Sequence, residues 1–193
     1  MKKSTIILIA IVAIIGLWAW KGYNGMVTAD ETVKNAWAKV QSDYQRRADL
    51  IPNLVNVVKG YAEHEKGTLE GVIEARAKAT QININVDDLT EENMKKIQAA
   101  QGELSSALNK LMAVAEAYPD LKANENFKEL QSQLEGTENR IKESRNKYND
   151  TVQEFNTKVR KFPNNILASV FGIETKVPFE ADESAQKAPE VKF

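Results

Sequence analysis

The sequence has no cysteine, one histidine, five prolines and nine glycines among its 193 residues. The missing cysteine excludes disulfides, thiolate zinc sites, cysteine nucleophiles and the acylated cysteine of a bacterial lipoprotein. No charge of one sign prevails either: 26 Lys and Arg stand against 27 Asp and Glu, a formal net charge of −1. Binding to a phosphate backbone needs a basic surplus that releases counterions, so nucleic acid is not an expected partner. The lone His64 cannot serve a serine triad, because no Gly-x-Ser-x-Gly elbow accompanies it. Nor can it build a di-iron bundle site, which needs Glu-x-x-His pairs on two helices, whereas Tyr61 stands three residues before it. Flanked by Glu63 and Glu65, it reads as a solvated helix face. No metal or cofactor is expected. Phosphate-cradling loops are absent, the glycines being scattered singly, and Gly67 with Gly71 are expected to let two helices approach closely.

What the sequence does have is a long apolar run near its start. Lys2 and Lys3 precede Ser4-Thr5, then Ile6 to Trp20 carry no charge, and Lys21 closes the stretch. That length lies near the short end of what spans a bilayer as a helix. Lys21 can snorkel outward, and Trp18, Trp20 and Tyr23 are the amphipathic aromatics expected at a lipid–water boundary. A cleaved secretory signal would share the basic start and apolar core but needs small residues at the cut. The one passable triplet, Val27-Thr28-Ala29, lies far beyond the core, so an uncleaved anchor is the expectation. The anchor would contact membrane lipid through residues 4–23. The short basic leader favours an N-terminus in the cytoplasm and a domain outside, against Lys21, Lys34 and Lys39 after the span.

After residue 30 the composition is dominated by Ala, Leu, Lys, Glu, Gln and Asn, which favours helices, and the fold class is all-α. The expected architecture is an N-terminal transmembrane helix followed by a long antiparallel helical bundle of about four helices. Its segments are an anchor over 1–25, a bundle over 26–180 and a flexible polar tail over 181–193. Val33, Trp37, Val40 and Tyr44 share one helical face. Pro52 predicts a kink, or a break with Pro52 in the first turn of a second helix that runs through His64 to about Ala79. Residues 81–89 alternate like a strand but are isolated, and are expected as a loop. Asp88 or Thr90 caps a third helix with the stripe Met94, Ile97, Leu104, Leu108, Leu111 and Met112, which Tyr118-Pro119 ends. Phe127, Leu134, Ile141, Tyr148, Phe155 and Phe162 recur every seven residues, predicting coiled-coil-like packing along a long neighbour. A short amphipathic piece, Ile166 to Phe171, is expected to cap one end of the bundle.

Polar residues on or beside these stripes stand out: Arg46, Arg47, Asp49, Asn53, Arg76, Glu116, Glu138, Asn139, Arg140, Arg145, Asn149 and Asn156. Glu138 and Arg145 fall in the heptad phase of Val152 and Val159, so both lean toward the core. A charge there must be paired, because stranding one partner costs about 3–5 kcal/mol. The set reads either as a register-fixing network or as a polar groove that receives a peptide or partner helix.

Several ordered blocks carry a family resemblance. They are Trp37-Ala-Lys-Val-Gln-Ser-Asp-Tyr44-Gln-Arg46-Arg47-Ala-Asp49-Leu-Ile-Pro52-Asn53, then Lys59-Gly60-Tyr61-Ala-Glu-His64-Glu65, Glu116-Ala-Tyr118-Pro119-Asp120, Asn126-Phe127, Glu138-Asn139-Arg140 and Tyr148-Asn149. Together they resemble the LemA family from the anchor to about Phe179. The resemblance implies a bacterial single-pass protein of the cytoplasmic (inner) membrane with a long antiparallel bundle, and it supplies no reaction. Family members are often encoded near membrane proteins with a TPM domain or near membrane metalloproteases, and one branch serves magnetosome membrane formation. The expected function is therefore a membrane-anchored protein-interaction or scaffold module of the cell envelope. The alternative is a lipid-binding or membrane-organising protein. A third reading, hydrolysis by Glu116 and Glu138 with Tyr118 in a cleft, is the weakest.

Overall fold

The computed structural model describes residues 3–180 apart from residue 83. The tail expected over 181–193 lies outside the described residues. Six α-helices follow one another: α1 (Lys3–Tyr61), α2 (Lys66–Gln81), α3 (Glu91–Glu116), α4 (Pro119–Ala123), α5 (Glu125–Arg160) and α6 (Asn164–Phe171), with a 3-10 turn at Val86–Asp88. There is no strand among the described residues.

α1 is one uninterrupted helix of 59 residues, about 88 Å long at 1.5 Å per residue. It is the one described helix long and apolar enough to cross a membrane, and none of its apolar window is buried. The chain continues from that window into Met26, Val33, Trp37, Val40, Ile51, Leu54 and Val58, all buried. Pro52 does not end the helix, contrary to one sequence expectation. A proline leaves the carbonyl four residues earlier without its helical donor, here Ala48 O. The Arg76 Nε of α2 donates to that oxygen at 2.7 Å, which removes the main polar penalty of carrying proline mid-helix. The break falls instead at residues 62–65, between α1 and α2, so His64 lies in an exposed turn and not within a second helix.

α1 and α5 run antiparallel along their length. Lys158 Nζ donates to Gly25 O at 2.9 Å, Arg47 meets Glu138, and Asn124 Nδ2 donates to Tyr61 Oη at 3.0 Å. α2 returns along α1, and α3 runs back beside α2, tied by Lys78 to Glu103 at 3.6 Å. The four long helices thus alternate in direction. Thr90 caps α3 by accepting from Asn93 N at 3.2 Å, and Asn124 caps α5 by accepting from Phe127 N at 3.0 Å. In each case the side chain supplies an acceptor to a first-turn amide that has none within the helix.

The heptad stripe packs against α1, and Phe127, Leu134, Ile141, Tyr148 and Phe155 are buried. Phe162 is not part of it. α5 ends at Arg160, and Phe162 lies beyond the helix, 81% exposed. The expected close approach at Gly67 and Gly71 is also absent, since a Cβ at either would meet nothing within 4 Å. The close approach occurs at Gly22, where a Cβ would lie 2.6 Å from Leu167 Cδ1 of α6.

Two apolar clusters fill the bundle. One gathers Ile51, Leu54, Val58, Leu69, Val72, Leu104, Leu111 and Phe127 at the end distant from the apolar segment. The other gathers Met26, Val33, Trp37, Met94, Tyr148, Phe155, Leu167 and Phe179 at the near end. Each large side chain fully removed from water contributes about 1.5–3 kcal/mol, so these clusters and not the surface ion pairs hold the bundle together. Between them lies a polar layer.

Candidate functional site

The polar layer is built around Arg47. Its position on the inner face of α1, four residues before Ile51 and seven after Val40, forces the guanidinium into the interior, where its side chain is 3% exposed. Nη1 donates to Ser105 Oγ of α3 at 3.0 Å and to Glu138 Oε2 of α5 at 2.6 Å, while Nη2 donates to Gln101 Oε1. Nε has no hydrogen-bond partner among the described residues. The guanidinium carbon also lies 5.8 Å from the centre of the Tyr44 ring, within reach of cation–π attraction. Glu138 is 56% exposed, so the pair joins a buried cation to a wetted anion. One cation therefore ties together three helices.

Beside this pair a cavity of about 360 Å³ opens between α3 and α5, lined by Arg47, Ser105, Met112, Gln131, Leu134 and Glu138. The backbones of α3 and α5 scarcely come within 8 Å of each other, and side chains alone close the gap. A groove of this kind can receive a side chain or a short polar segment. It presents the Arg47 guanidinium with the Glu138 carboxylate and the Ser105 hydroxyl both held on Nη1.

The other sequence-flagged residues divide into separate places. Arg76 serves the Ala48 carbonyl as described. Asp49 Oδ1 accepts from Gln45 Nε2 at 2.7 Å on the outer side of α1, and Arg46, Asn53, Asn139 and Arg140 are exposed. Glu116 engages Lys122 at the far end of the bundle, and Tyr118 Oη donates to Glu65 Oε1 at 3.2 Å. Glu116 and Glu138 therefore do not converge on one cleft, as hydrolysis with Tyr118 would require.

Arg145, Asn149 and Asn156 form a second constellation, on the face of α5 that carries the segment after α6. Gly172, at φ 66°, closes α6 with the left-handed turn that glycine adopts without strain. The chain then returns along α5 as an extended strap over residues 173–180. Asn156 accepts from Lys176 N and donates to Lys176 O, both at 2.8 Å. Asn149 does the same with Phe179, at 2.8 Å and 3.1 Å. Each amide thus holds both backbone groups of one residue, a strand-like pairing that is indifferent to the side chain held. Tyr148 Oη donates to Val177 O at 2.9 Å, and burial pushes its phenol above the ordinary range. The Phe179 ring is buried against Trp37 and Tyr148, with Arg145 4.6 Å from its centre.

Sequence reasoning missed what locks the strap from outside. Lys176 Nζ lies 2.7 Å from Asp87 and 3.2 Å from Asp30, and Lys34 Nζ reaches the same two carboxylates at 3.5 Å and 3.0 Å. Two ammonium and two carboxylate groups so join α1, the 3-10 turn and the strap. The Lys176 hydrogen bond holds the Asp87 carboxyl below its ordinary value, and the Asp30 hydrogen bond raises Lys34. The loop before α3 is clamped too, since Trp37 Nε1 and Gln41 Nε2 both donate to Ile84 O. The apolar alternation of Ile82, Ile84 and Val86 was a usable signal: it marks a loop that covers the core.

The LemA family model matches residues 36–193. The chain is 26% identical over 175 residues to magnetosome protein MamQ 2 of Paramagnetospirillum magneticum, covering 82% of this chain and 64% of that protein. It is 24% identical over 184 residues to magnetosome protein MamQ of Magnetospirillum gryphiswaldense, covering 86% and 67%. It is 26% identical over 161 residues to protein LemA of Metamycoplasma hominis, covering 83% and 69%. The chain thus spans just under two thirds of the first of these relatives.

Proposed function

The chain belongs to the LemA family, and on that premise we propose that it is a single-pass protein of the bacterial cytoplasmic membrane whose bundle is an interaction or scaffold module of the cell envelope. Residues 1–25 anchor it, and residues 26–180 are the working part. The observation that carries this reading is the continuity of α1: an apolar window none of which is buried and the central helix of the core are one helix. A helix without an intervening loop transmits orientation, so the bundle stands as a post fixed to the bilayer and not as a domain on a tether.

The receiving surface in this reading is the groove between α3 and α5, with Arg47 at its base and Glu138 at its mouth. Its partner is another envelope protein; by family analogy, a TPM-domain protein or a membrane metalloprotease. A photoreactive residue at Gln131, which lines the groove, should crosslink to an integral envelope protein in intact cells. Capture no greater than with an anchor-only control would remove the proposal. We place the N-terminus in the cytoplasm, and intact spheroplasts should therefore expose the bundle to added protease.

The second reading, lipid binding or membrane organisation, draws on the names of the MamQ relatives as magnetosome proteins and on apolar residues of α6 left uncovered. Full-length protein that leaves the size and shape of reconstituted vesicles unchanged would argue against it.

A further inference from the structure

α6 and the residue pair before it form an apolar foot with no counterpart inside the bundle. Leu167 and Ala168 are buried, while Ile166, Val170 and Phe171 are 50%, 72% and 53% exposed and Phe162 is 81% exposed. Phe162, Ile166 and Val170 follow at steps of four, which places the helical members on one stripe. Resting on the membrane reading above, we infer that this stripe is a second membrane contact, a short helix lying in the headgroup–acyl boundary beside the span.

Three observations select lipid as the occupant. The first is depth. A hydrocarbon core of about 30 Å takes about 20 helical residues, and counted from Ser4 these end at Tyr23. α6 touches α1 at that level: a Cβ on Gly22 would meet Leu167 and Asn164, and the Tyr23 and Phe171 rings are 4.8 Å apart. The second is orientation. Asn164 and Phe171, near the two ends of α6, reach neighbouring residues of one α1 turn, so α6 crosses α1 instead of running along it. A short helix set across a membrane span at that level can lay one side on the membrane surface. The third is chemistry. Trp18, Trp20 and Tyr23 mark the same level with interfacial aromatics, Lys21 stands among them, and Arg160 and Lys161 follow Lys158, whose Nζ reaches Gly25 O of α1. An amphipathic segment at that boundary buries its apolar side among acyl chains and leaves its cations to the headgroups. With the span fixed at one point and the foot at another, the bundle would be held against tilting and against rotation about α1.

The absence of cysteine makes the test direct. Single cysteines at Val170→Cys, Leu8→Cys and Lys66→Cys in the full chain carry an environment-sensitive nitrobenzoxadiazole label. The protein is reconstituted into phosphatidylethanolamine–phosphatidylglycerol vesicles with and without nitroxide lipids. Val170 is exposed, so the label does not perturb packing. The expected result is blue-shifted emission at positions 170 and 8, both quenched by nitroxide lipids, with water-like emission at 66, the distant end of the bundle. Quenching at 8 with water-like emission at 170 overturns the foot and leaves the anchor standing. Blue-shifted but unquenched emission at 170 assigns the stripe to protein contact, such as a second copy, and also overturns it. Water-like emission at 8 and 170 together sinks the membrane reading and the foot with it.

Discussion

The link between Pro52 and Arg76 can be tested by a double-mutant cycle. Pro52 cannot donate to Ala48 O, and Ala48 is buried, so the oxygen depends on Arg76 Nε at 2.7 Å. Removing the donor from a buried carbonyl costs about 1–3 kcal/mol, and a charged donor sits toward the upper part of that range. Arg76 is only half-buried, and water can partly replace it, so Arg76→Ala should cost about 1.5 kcal/mol. In a Pro52→Ala background the new amide of residue 52 satisfies the carbonyl, and the same substitution should then cost only about 0.5 kcal/mol. The coupling is about 1 kcal/mol, equivalent to roughly 2–4 °C in Tm for a chain of this size. Urea and thermal unfolding of the four proteins in mild detergent, followed by far-ultraviolet circular dichroism, measure it. Equal cost of Arg76→Ala in both backgrounds would refute the claim that Arg76 substitutes for the missing proline amide.

The Arg47–Glu138 pair should respond asymmetrically, because only the cation is buried. Glu138→Ala leaves a guanidinium among neutral acceptors and should cost about 2 kcal/mol, less than a fully buried pair, whereas adding Arg47→Met to it should recover part of that loss; denaturant midpoints that are no higher for the double variant than for Glu138→Ala would contradict this. Asn149→Ala and Asn156→Ala each remove two backbone bonds from the strap, and amide exchange at Phe179 or Lys176 should accelerate by about 10-fold or more, each net bond being worth about 1 kcal/mol. Unchanged exchange would mean that the aromatic packing alone holds the strap. Asp87 has a depressed carboxyl in the fold, chiefly through the Lys176 hydrogen bond. Its contribution is therefore complete above the ordinary value of 3.8 and lost as pH falls through the lower folded value. A nuclear magnetic resonance titration should place the Asp87 midpoint below 3.8, with the Lys176 amide reporting the same step, and a midpoint at or above it would remove the four-charge lock.

Much of the fold is legible in the residue order because helices advertise themselves locally. The seven-residue recurrence from Phe127 to Phe155, the cap at Thr90, one of two residues expected there, and the uncharged run ahead of Lys21 each follow from the period and chemistry of neighbouring residues. Their family blocks are equally local. The polar residues could be flagged in the same way, yet their grouping could not. Arg47 and Gln101 are 54 positions apart and Asn149 and Phe179 are 30 apart, and no short-range pattern joins them.

By itself the sequence determined the helical class, the apolar segment, the register of α5 and the family, since all rest on interactions between residues one to seven positions apart. Only the tertiary structure decided that α1 passes through Pro52, that Phe162 leaves the stripe, and that Asn149 and Asn156 hold the chain's own strap. It also decided that the close approach belongs to Gly22 and not to Gly67 and Gly71. In each case a distant side chain supplies or withholds what the local segment lacks: a donor for an orphaned carbonyl, a surface for an apolar face, or a backbone for a free amide. Such compensation depends on where the chain returns, and a one-dimensional reading does not contain the return path.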